Sequence, residues 1–235
     1  MVQLIPGPND STENGIYIGD VREVGVDVAD ESVDLILTDP PYLREYIYLY
    51  AWLAEFAVRV LKPDGFLLAM CGDVYLNQTF RAFDQYLHYF WLYQVHVTGN
   101  CPGIVWPHGN HKVSITVRDK HILAYSRQAG VLPRCSTIGS FVARARDKHW
   151  HKWGQDAVSF RYFCDCFSKP GDLVLDPFCG GGTTTVVCKQ LGRRWLAFEI
   201  DPDAAETSRR RLAEVPMPLP GLGLSQRRLE LENAP

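Results

Sequence analysis

The chain has 235 residues, 46% of them hydrophobic and 22% charged, with a formal net charge of -3 at pH 7. That length and apolar content suit one sizeable globular domain with a full core and exclude a wholly disordered chain. The slightly acidic balance excludes bulk attraction to a polyanion, so any nucleic-acid contact must come from local basic stretches.

No run of about 18 apolar residues occurs, and the opening MVQLIPGPNDSTENG lacks a basic n-region and an apolar h-region. A soluble, intracellular protein with no membrane partner is expected. The first apolar run, IYI at 16–18, leads into Gly19 and Asp20. DLILT at 34–38 reads as a buried strand and runs straight into Asp39, Pro40, Pro41 and Tyr42, where two successive prolines cannot continue a ladder. A helix is expected around 45–60, then a Pro-Asp-Gly turn in LKPDGF at 61–66, then a strand in FLLAM at 66–70. WLYQVHV at 91–97 and HILAYS at 121–126 are further strand candidates.

Between them the chain is less regular. TGNCPGIVWPHGNHK reads as a long surface loop carrying Trp106, His108 and His111. Trp106 suits either a wedge into a duplex or packing beneath its own loop. RARDKHWHK at 144–152 interleaves Arg144, Arg146, Lys148 and Lys152 with His149, Trp150, His151 and, just beyond, Trp153. Such a mix of cations and aromatics fits a passing nucleic-acid backbone, and equally an ordinary solvated face. His108, His111, His149 and His151 have no metal-site spacing to an acid or cysteine, so no metal is expected. The seven cysteines are odd in number and form no pair of CxxC units, and they read as reduced thiols. Cys164 and Cys166, two apart in a helix-like stretch, diverge by about 200° and make a poor metal pair.

DLVLDPF at 172–178 ends a strand on Asp176, followed by Pro177, Phe178, Cys179 and the glycines 180–182. A helix then starts with Thr183 and Thr184 and stops at Gly192, a left-handed capping position. RWLAFEID at 194–201 ends the next strand on Glu199 and Ile200, and Asp201 with Pro202 has the form of an N-cap and first helical residue. The tail, 216–235, is rich in Pro and Gly and reads as peripheral. Continuous apolar runs alternating with helical stretches predict an α/β layered fold.

Three readings compete for the glycine loop. Walker A chemistry needs Gly-Lys-Ser/Thr, and Thr183 stands where the lysine belongs. A dinucleotide fingerprint needs a third glycine where Thr185 stands. A nucleoside without a diphosphate fits best: bare glycines admit close approach, and Glu199, 19 residues after Gly180, is placed to accept from ribose hydroxyls.

Taken together, DPPY at 39–42 and DPFCGGGTT at 176–184 resemble the catalytic and cofactor motifs of the S-adenosylmethionine-dependent DNA amino-methyltransferases, the N6-adenine and N4-cytosine enzymes. The catalytic motif precedes the cofactor motif, which resembles the circularly permuted beta class. IYIGDVREVGVDVADESVDLILTDPPY, KHWHKWGQD with FSKPGDLVLDPF, and GRRWLAFEID extend the likeness over nearly the whole chain. The loop departs from the family in having Gly181 where serine is frequent.

The resemblance implies a Rossmann-like fold with a mostly parallel, twisted, seven-stranded sheet and helices on both faces. It implies one catalytic domain over 1–215, with a small recognition region at about 98–152 and a peripheral tail at 216–235. S-adenosyl-L-methionine is the implied cofactor. The residues to hold it would be Asp20, Trp153, Gln155, Asp176, Pro177, Phe178, Cys179, Gly180, Gly182, Thr183, Thr184, Glu199, Ile200 and Asp201. The alternative for Asp20 is a cap on the next turn. The implied partner is DNA, read as a duplex with the target base flipped out, contacted by Trp106, His108, His111, Arg144, Arg146, Lys148 and Lys152. A homodimer or partner subunit is a further expectation, since the recognition region is short.

An exocyclic amine is a poor nucleophile because its lone pair is delocalised into the ring. A carboxylate at Asp39 and a carbonyl at Pro40 can accept its two protons and stabilise the charge that grows on nitrogen. Pro41 helps fix the backbone, and Tyr42 offers a face for an extruded base. By resemblance, Asp at the first tetrad position leans towards N6-adenine; N4-cytosine, an RNA substrate, or a noncatalytic cofactor- or DNA-binding subunit are the alternatives. Cys101 has the order Cys-Pro, not the Pro-Cys of the cytosine-C5 enzymes.

Overall fold

A computed structural model describes residues 14–97, 103–108, 111–116, 119–143 and 157–216. In chain order the elements are β1 (Asn14–Ile18), α1 (Val21–Val24), β2 (Val33–Thr38), α2 (Tyr48–Val60), β3 (Leu61–Cys71), α3 (Leu76–Phe83), β4 (His88–Val97), β5 (Gly103–His108), β6 (His111–Thr116), β7 (Asp119–Ser126), β8 (Ser140–Ala143), α4 (Ala157–Phe167), β9 (Leu173–Asp176), α5 (Thr183–Leu191), β10 (Arg194–Glu199) and α6 (Pro202–Glu214). The main sheet has the order β1-β10-β9-β2-β3-β7-β4-β8. Every neighbouring pair is parallel except the two that involve β7.

All the apolar runs named from sequence contribute strands to this sheet; those of β2, β3 and β7 are buried on both sides, whereas in β4 Tyr93 and Val95 are buried and Trp91 and Gln94 are exposed. In β2, Leu35 and Leu37 face one core and Ile36 the other; in β3, Phe66, Leu68 and Met70 alternate with Leu67, Ala69 and Cys71 in the same way. Helix α2 covers one face through Tyr50, Leu53, Ala54, Ala57 and Val60. The opposite face is covered by α4, whose Phe160, Phe163, Cys164 and Phe167 follow the i, i+3, i+4, i+7 stripe of a core-facing helix, and by Val187, Cys188 and Leu191 of α5. Cys164 and Cys166 do diverge: Cys164 meets Ser168 and Cys188, whereas the Cys166 sulfur lies 2.8 Å from that of Cys135.

The expected mostly parallel α/β sheet is present; two local expectations are corrected, and the sheet gains an eighth strand beyond the seven expected, because the four residues of β8 add in parallel to the outer edge of β4. So short an edge strand, with Val142 exposed, leaves no continuous apolar run to notice. The Pro-Asp-Gly turn is not ahead of β3 but inside it. Val33 pairs with Leu61 and Leu35 with Phe66, so residues 62–65 bulge between two points of pairing. Lastly, residues 103–108 and 111–116 are an antiparallel hairpin, a separate two-stranded sheet in which His108 is opposite His111, and not a loop. Its signal was the two-residue Gly-Asn between two β-rich runs.

The connections place the ligand edge. From β9 the chain turns through α5 to β10 on one side; from β2 it turns through α2 to β3 on the other. The crevice beyond the carboxyl ends of β9 and β2 is therefore the topological switch point, where open α/β sheets receive ligands.

Candidate active site at the switch point

Two segments far apart in sequence leave adjacent strands here. β2 ends on Thr38 and hands over to Asp39, Pro40, Pro41 and Tyr42; β9 ends on Asp176 and hands over to the glycine loop. Leu35 lies opposite Val174 and Ile36 opposite Leu175, and beyond them Thr38 donates its hydroxyl to Asp176 Oδ1 at 2.6 Å. Pro40 is buried, and Asp39, Pro41 and Tyr42 are half-buried.

The Tyr42 hydroxyl donates to Asp39 Oδ1. Burial, reinforced by the Asp39 carboxylate, pushes the phenol well above its ordinary range, so it remains a donor. Tyr42 thus aims the carboxylate as well as offering a ring. Behind it, the backbone just past β3 comes so close that a Cβ on Gly72 would lie 3.3 Å from Tyr42 Cβ. The next residue, Asp73, is paired with His121 Nε2 at 2.8 Å, and His121 is the partner of Cys71 in the β3 to β7 register.

Asp176 is 3% exposed. Its Oδ1 also accepts from the Phe178 N–H at 3.1 Å. Burial pushes the carboxyl up to about 6; hydrogen bonds from Thr184, Thr38 and Phe178 oppose the rise, and the nearby Asp39 charge adds to it. This acid is held in a dry position at the end of β9, one strand over from the tetrad.

The glycine loop has a packed back and an open front. Gly180 has φ +50°, and a Cβ built on it would meet nothing within 4 Å. Gly182 has φ +77°, and a Cβ there would lie 2.8 Å from Ser208 Oγ and 3.2 Å from Ser208 Cα. The Gly180 N–H donates to Glu199 Oε2 at 2.7 Å and the Asp201 N–H to Oε1 at 2.9 Å. Each carboxylate oxygen has a further lone pair for hydroxyl donors. Open space before a bare glycine, an acid beside it and a buried carboxylate below fit an adenosine-type ligand with a cationic arm.

Other predicted residues take less direct positions. Asp20 caps α1 through Arg22 N–H at 2.9 Å and is also paired with the Arg22 guanidinium, which holds its carboxyl below the usual range. The Cys179 thiol turns away from the front, 3.6 Å from Ser208 Oγ. Thr183 and Thr184 are buried, the latter donating to Leu37 O at 3.3 Å. Pro177 is buried, the Phe178 ring is edge-on to Trp52, Ile200 is 67% exposed, and Asp201 caps α6. Trp106, His108 and His111 lie on the β5–β6 hairpin. Trp153, Gln155, Arg144, Arg146, Lys148 and Lys152 lie outside the described residues.

Sequence reasoning missed Thr38, Gly72, Asp73 with His121, and two residues of α6, Ser208 and Arg211. For α6 a signal existed: Ser208 and Arg211 occupy the stripe that Ala204 and Ala205 begin, where helical periodicity calls for apolar side chains.

A family model described as DNA methylase matches residues 158–210, from α4 through the glycine loop to α6. Type II methyltransferase M.HpaI of Haemophilus parainfluenzae is 27% identical over 217 residues, covering 78% of this chain and 69% of that protein. Among solved structures, the PvuII DNA methyltransferase, cytosine-N4-specific, superposes with a TM-score of 0.75 at 18% identity, covering 95% of this chain and 92% of that one. The complex of M1.HpyAVI with SAM gives 0.66 at 22% identity, covering 84% and 98%.

Proposed function

We propose that this chain belongs to the N6/N4 class of DNA amino-methyltransferases and moves a methyl group from S-adenosyl-L-methionine to N6 of an adenine flipped out of DNA. The observation that carries the reading is the meeting of Asp39-Pro40-Pro41-Tyr42 and the open glycine loop on adjacent strand ends, joined by the bond from Thr38 to Asp176.

When bound, the cofactor supplies an electrophilic methyl on a sulfonium. The chain's own groups do the rest. Gly180, Gly182 and the surrounding residues 177–184 would cradle the nucleoside, with Glu199 accepting from its ribose hydroxyls and Ile200, Asp201 and Asp20 bordering its base. Asp176 would face the cationic arm, and Trp153 and Gln155 would enclose it. Asp39 and the Pro40 carbonyl would accept hydrogen bonds from the two amino protons of the target base, drawing its lone pair out of the ring and stabilising the charge as it grows. As the N–C bond forms the S–C bond breaks, and the methylated nitrogen gives up one proton through Asp39 to solvent. Pro40 has no N–H to compete for the carboxylate. The Tyr42 ring stacks on the base while its hydroxyl steers Asp39, and stacking of this kind contributes about 1 to 3 kcal/mol per base. Trp106, His108, His111, Arg144, Arg146, Lys148 and Lys152 would meet the nucleic acid. With recognition confined to about 98–152, the reading includes relaxed site choice or help from a second subunit.

By resemblance to the family, Asp at the head of the tetrad leans towards adenine. N4-cytosine is the second reading, because the same two acceptors serve any exocyclic amine and the structurally similar PvuII enzyme is cytosine-N4-specific by its name. The test is incubation with labelled S-adenosylmethionine and duplex DNA, single-stranded DNA or RNA, followed by mass spectrometry of the nucleosides. N6-methyladenine from DNA is expected. N4-methylcytosine would replace the target assignment, and cofactor binding without methylation of any substrate would sink the enzyme reading.

A further inference from the structure

A loop of three glycines has no side chains with which to hold itself, and glycine loses more backbone freedom on ordering than any other residue. Here the loop is held by its carbonyls. Cys179 O accepts from the Gly182 N–H at 2.9 Å, and Gly182 O from Val186 N–H at 3.1 Å and Thr185 Oγ1 at 3.0 Å. The two carbonyls between them are taken by α6. Ser208 Oγ donates to Gly180 O at 2.6 Å, and Arg211 Nη1 to Gly181 O at 3.0 Å. The same Arg211 nitrogen lies 3.2 Å from Thr183 Oγ1, the first residue of α5. Ser208 is fully buried and Arg211 is 7% exposed.

We propose that Ser208 and Arg211 are positioning residues for the cofactor, acting through the glycine loop from behind. By fixing the carbonyls of Gly180 and Gly181 on the α6 side, they orient those peptide groups and keep the bare front of Gly180 open, with its N–H on Glu199. The loop is thereby preorganised, and the ordering cost is not left to the cofactor. Arg211 is suited to the task because its planar guanidinium reaches a carbonyl and a hydroxyl at once from a dry position. The clamp also explains why position 182 must be glycine, since the loop and α6 meet there almost backbone to backbone. The inference rests on the glycine loop being the cofactor loop.

The test uses Ser208→Ala, Arg211→Met and Arg211→Lys in the full chain. Calorimetric dissociation constants for S-adenosylmethionine and S-adenosylhomocysteine are measured beside the Tm without ligand and the steady-state constants. About a tenfold or greater weakening of both ligands is expected for Arg211→Met, a smaller one for Ser208→Ala, and partial rescue for Arg211→Lys. At saturating cofactor kcat should stay within about twofold of the parent and KM for DNA should not move, since the groups act on ground-state cofactor binding alone. Unchanged cofactor affinity in folded Ser208→Ala and Arg211→Lys proteins would overturn the inference, and those two variants keep it testable if Arg211→Met does not fold. A wild-type protein that binds the cofactor but methylates nothing would remove the proposed reaction and leave this inference standing.

Discussion

At the scale of single residues, two carboxylates in one crevice are set apart by their surroundings. Asp39 is half-buried and steered by a phenol, whereas Asp176 is buried and pushed up to about 6. Removing the first should strike turnover. Asp39→Ala is expected to lose at least about 100-fold in kcat, the scale of a lost transition-state hydrogen bond, with cofactor affinity unchanged. Full turnover in that variant would refute the role given to the tetrad. The second acid makes an opposite prediction for stability. A carboxyl whose value is raised on folding holds its proton more tightly in the native state. Its contribution to stability is therefore full below the ordinary value of 3.8 and lost as pH rises through about 6. Ionised at neutral pH, it costs up to about 3 kcal/mol. Asp176→Asn should then be the more stable protein by denaturant titration at pH 8, with the gain gone at pH 4, and it should bind S-adenosylmethionine more weakly. In the parent the same titration appears as cofactor affinity that falls below about pH 6, because a proton must leave before the cationic arm is faced by a charge. An affinity flat from pH 5 to 8 would dissociate Asp176 from that arm.

At the scale of elements, the two outer glycines of the loop give contrasting outcomes that follow from where each one faces. Gly182→Ala combines a left-handed backbone with a collision against Ser208, and overpacking alone costs about 1 to 3 kcal/mol. Gly180→Ala meets open space, so its stability loss should stay near the cost of the left-handed conformation, about 1 to 2 kcal/mol. Yet its new methyl projects to the open front and should weaken the cofactor more than its effect on Tm suggests. If Gly180→Ala changed Tm and left calorimetric affinity intact, the front of the loop would not be the ligand side. These elements were legible in unequal measure. The caps of α5 and α6 were, because Gly192 at φ +70° and Asp201 accepting from Asp203 N–H are local chemistry that adjacent residues spell out. Ser208 and Arg211 were not singled out, because their partners lie 28 and 30 residues away and only the sheet brings them together. The β5–β6 hairpin was missed for a different reason: glycine and proline near Trp106 drew the reading to a loop, although the two-residue Gly-Asn carried the hairpin signal.

At the scale of the whole molecule, the sheet order brings a tetrad at 39–42 and a loop at 176–184 to neighbouring strand ends. The family likeness implied that meeting. Composition and periodicity alone implied only parallel strands, because which strand lies beside which is decided by crossover connections rather than by any local pattern. The acids gathered at that edge suit a cationic cofactor but repel a polyanion, and the net charge of -3 gives no general attraction to compensate. Under the proposed function, affinity for DNA would then depend on local clusters of cations, and the stretch at 144–152 concentrates four of them. If it tracks the backbone, each phosphate neutralised contributes about 0.9 to the slope of log K against log salt. Replacing Arg144, Arg146, Lys148 and Lys152 together by Ala should flatten that slope by roughly 3 to 4 and weaken binding alike across sequences, with cofactor affinity unchanged. Fluorescence anisotropy on a labelled duplex over a series of salt concentrations measures it. A slope that stays where it was would make the stretch an ordinary solvated face, and the phosphate contacts would have to be sought on the β5–β6 hairpin instead.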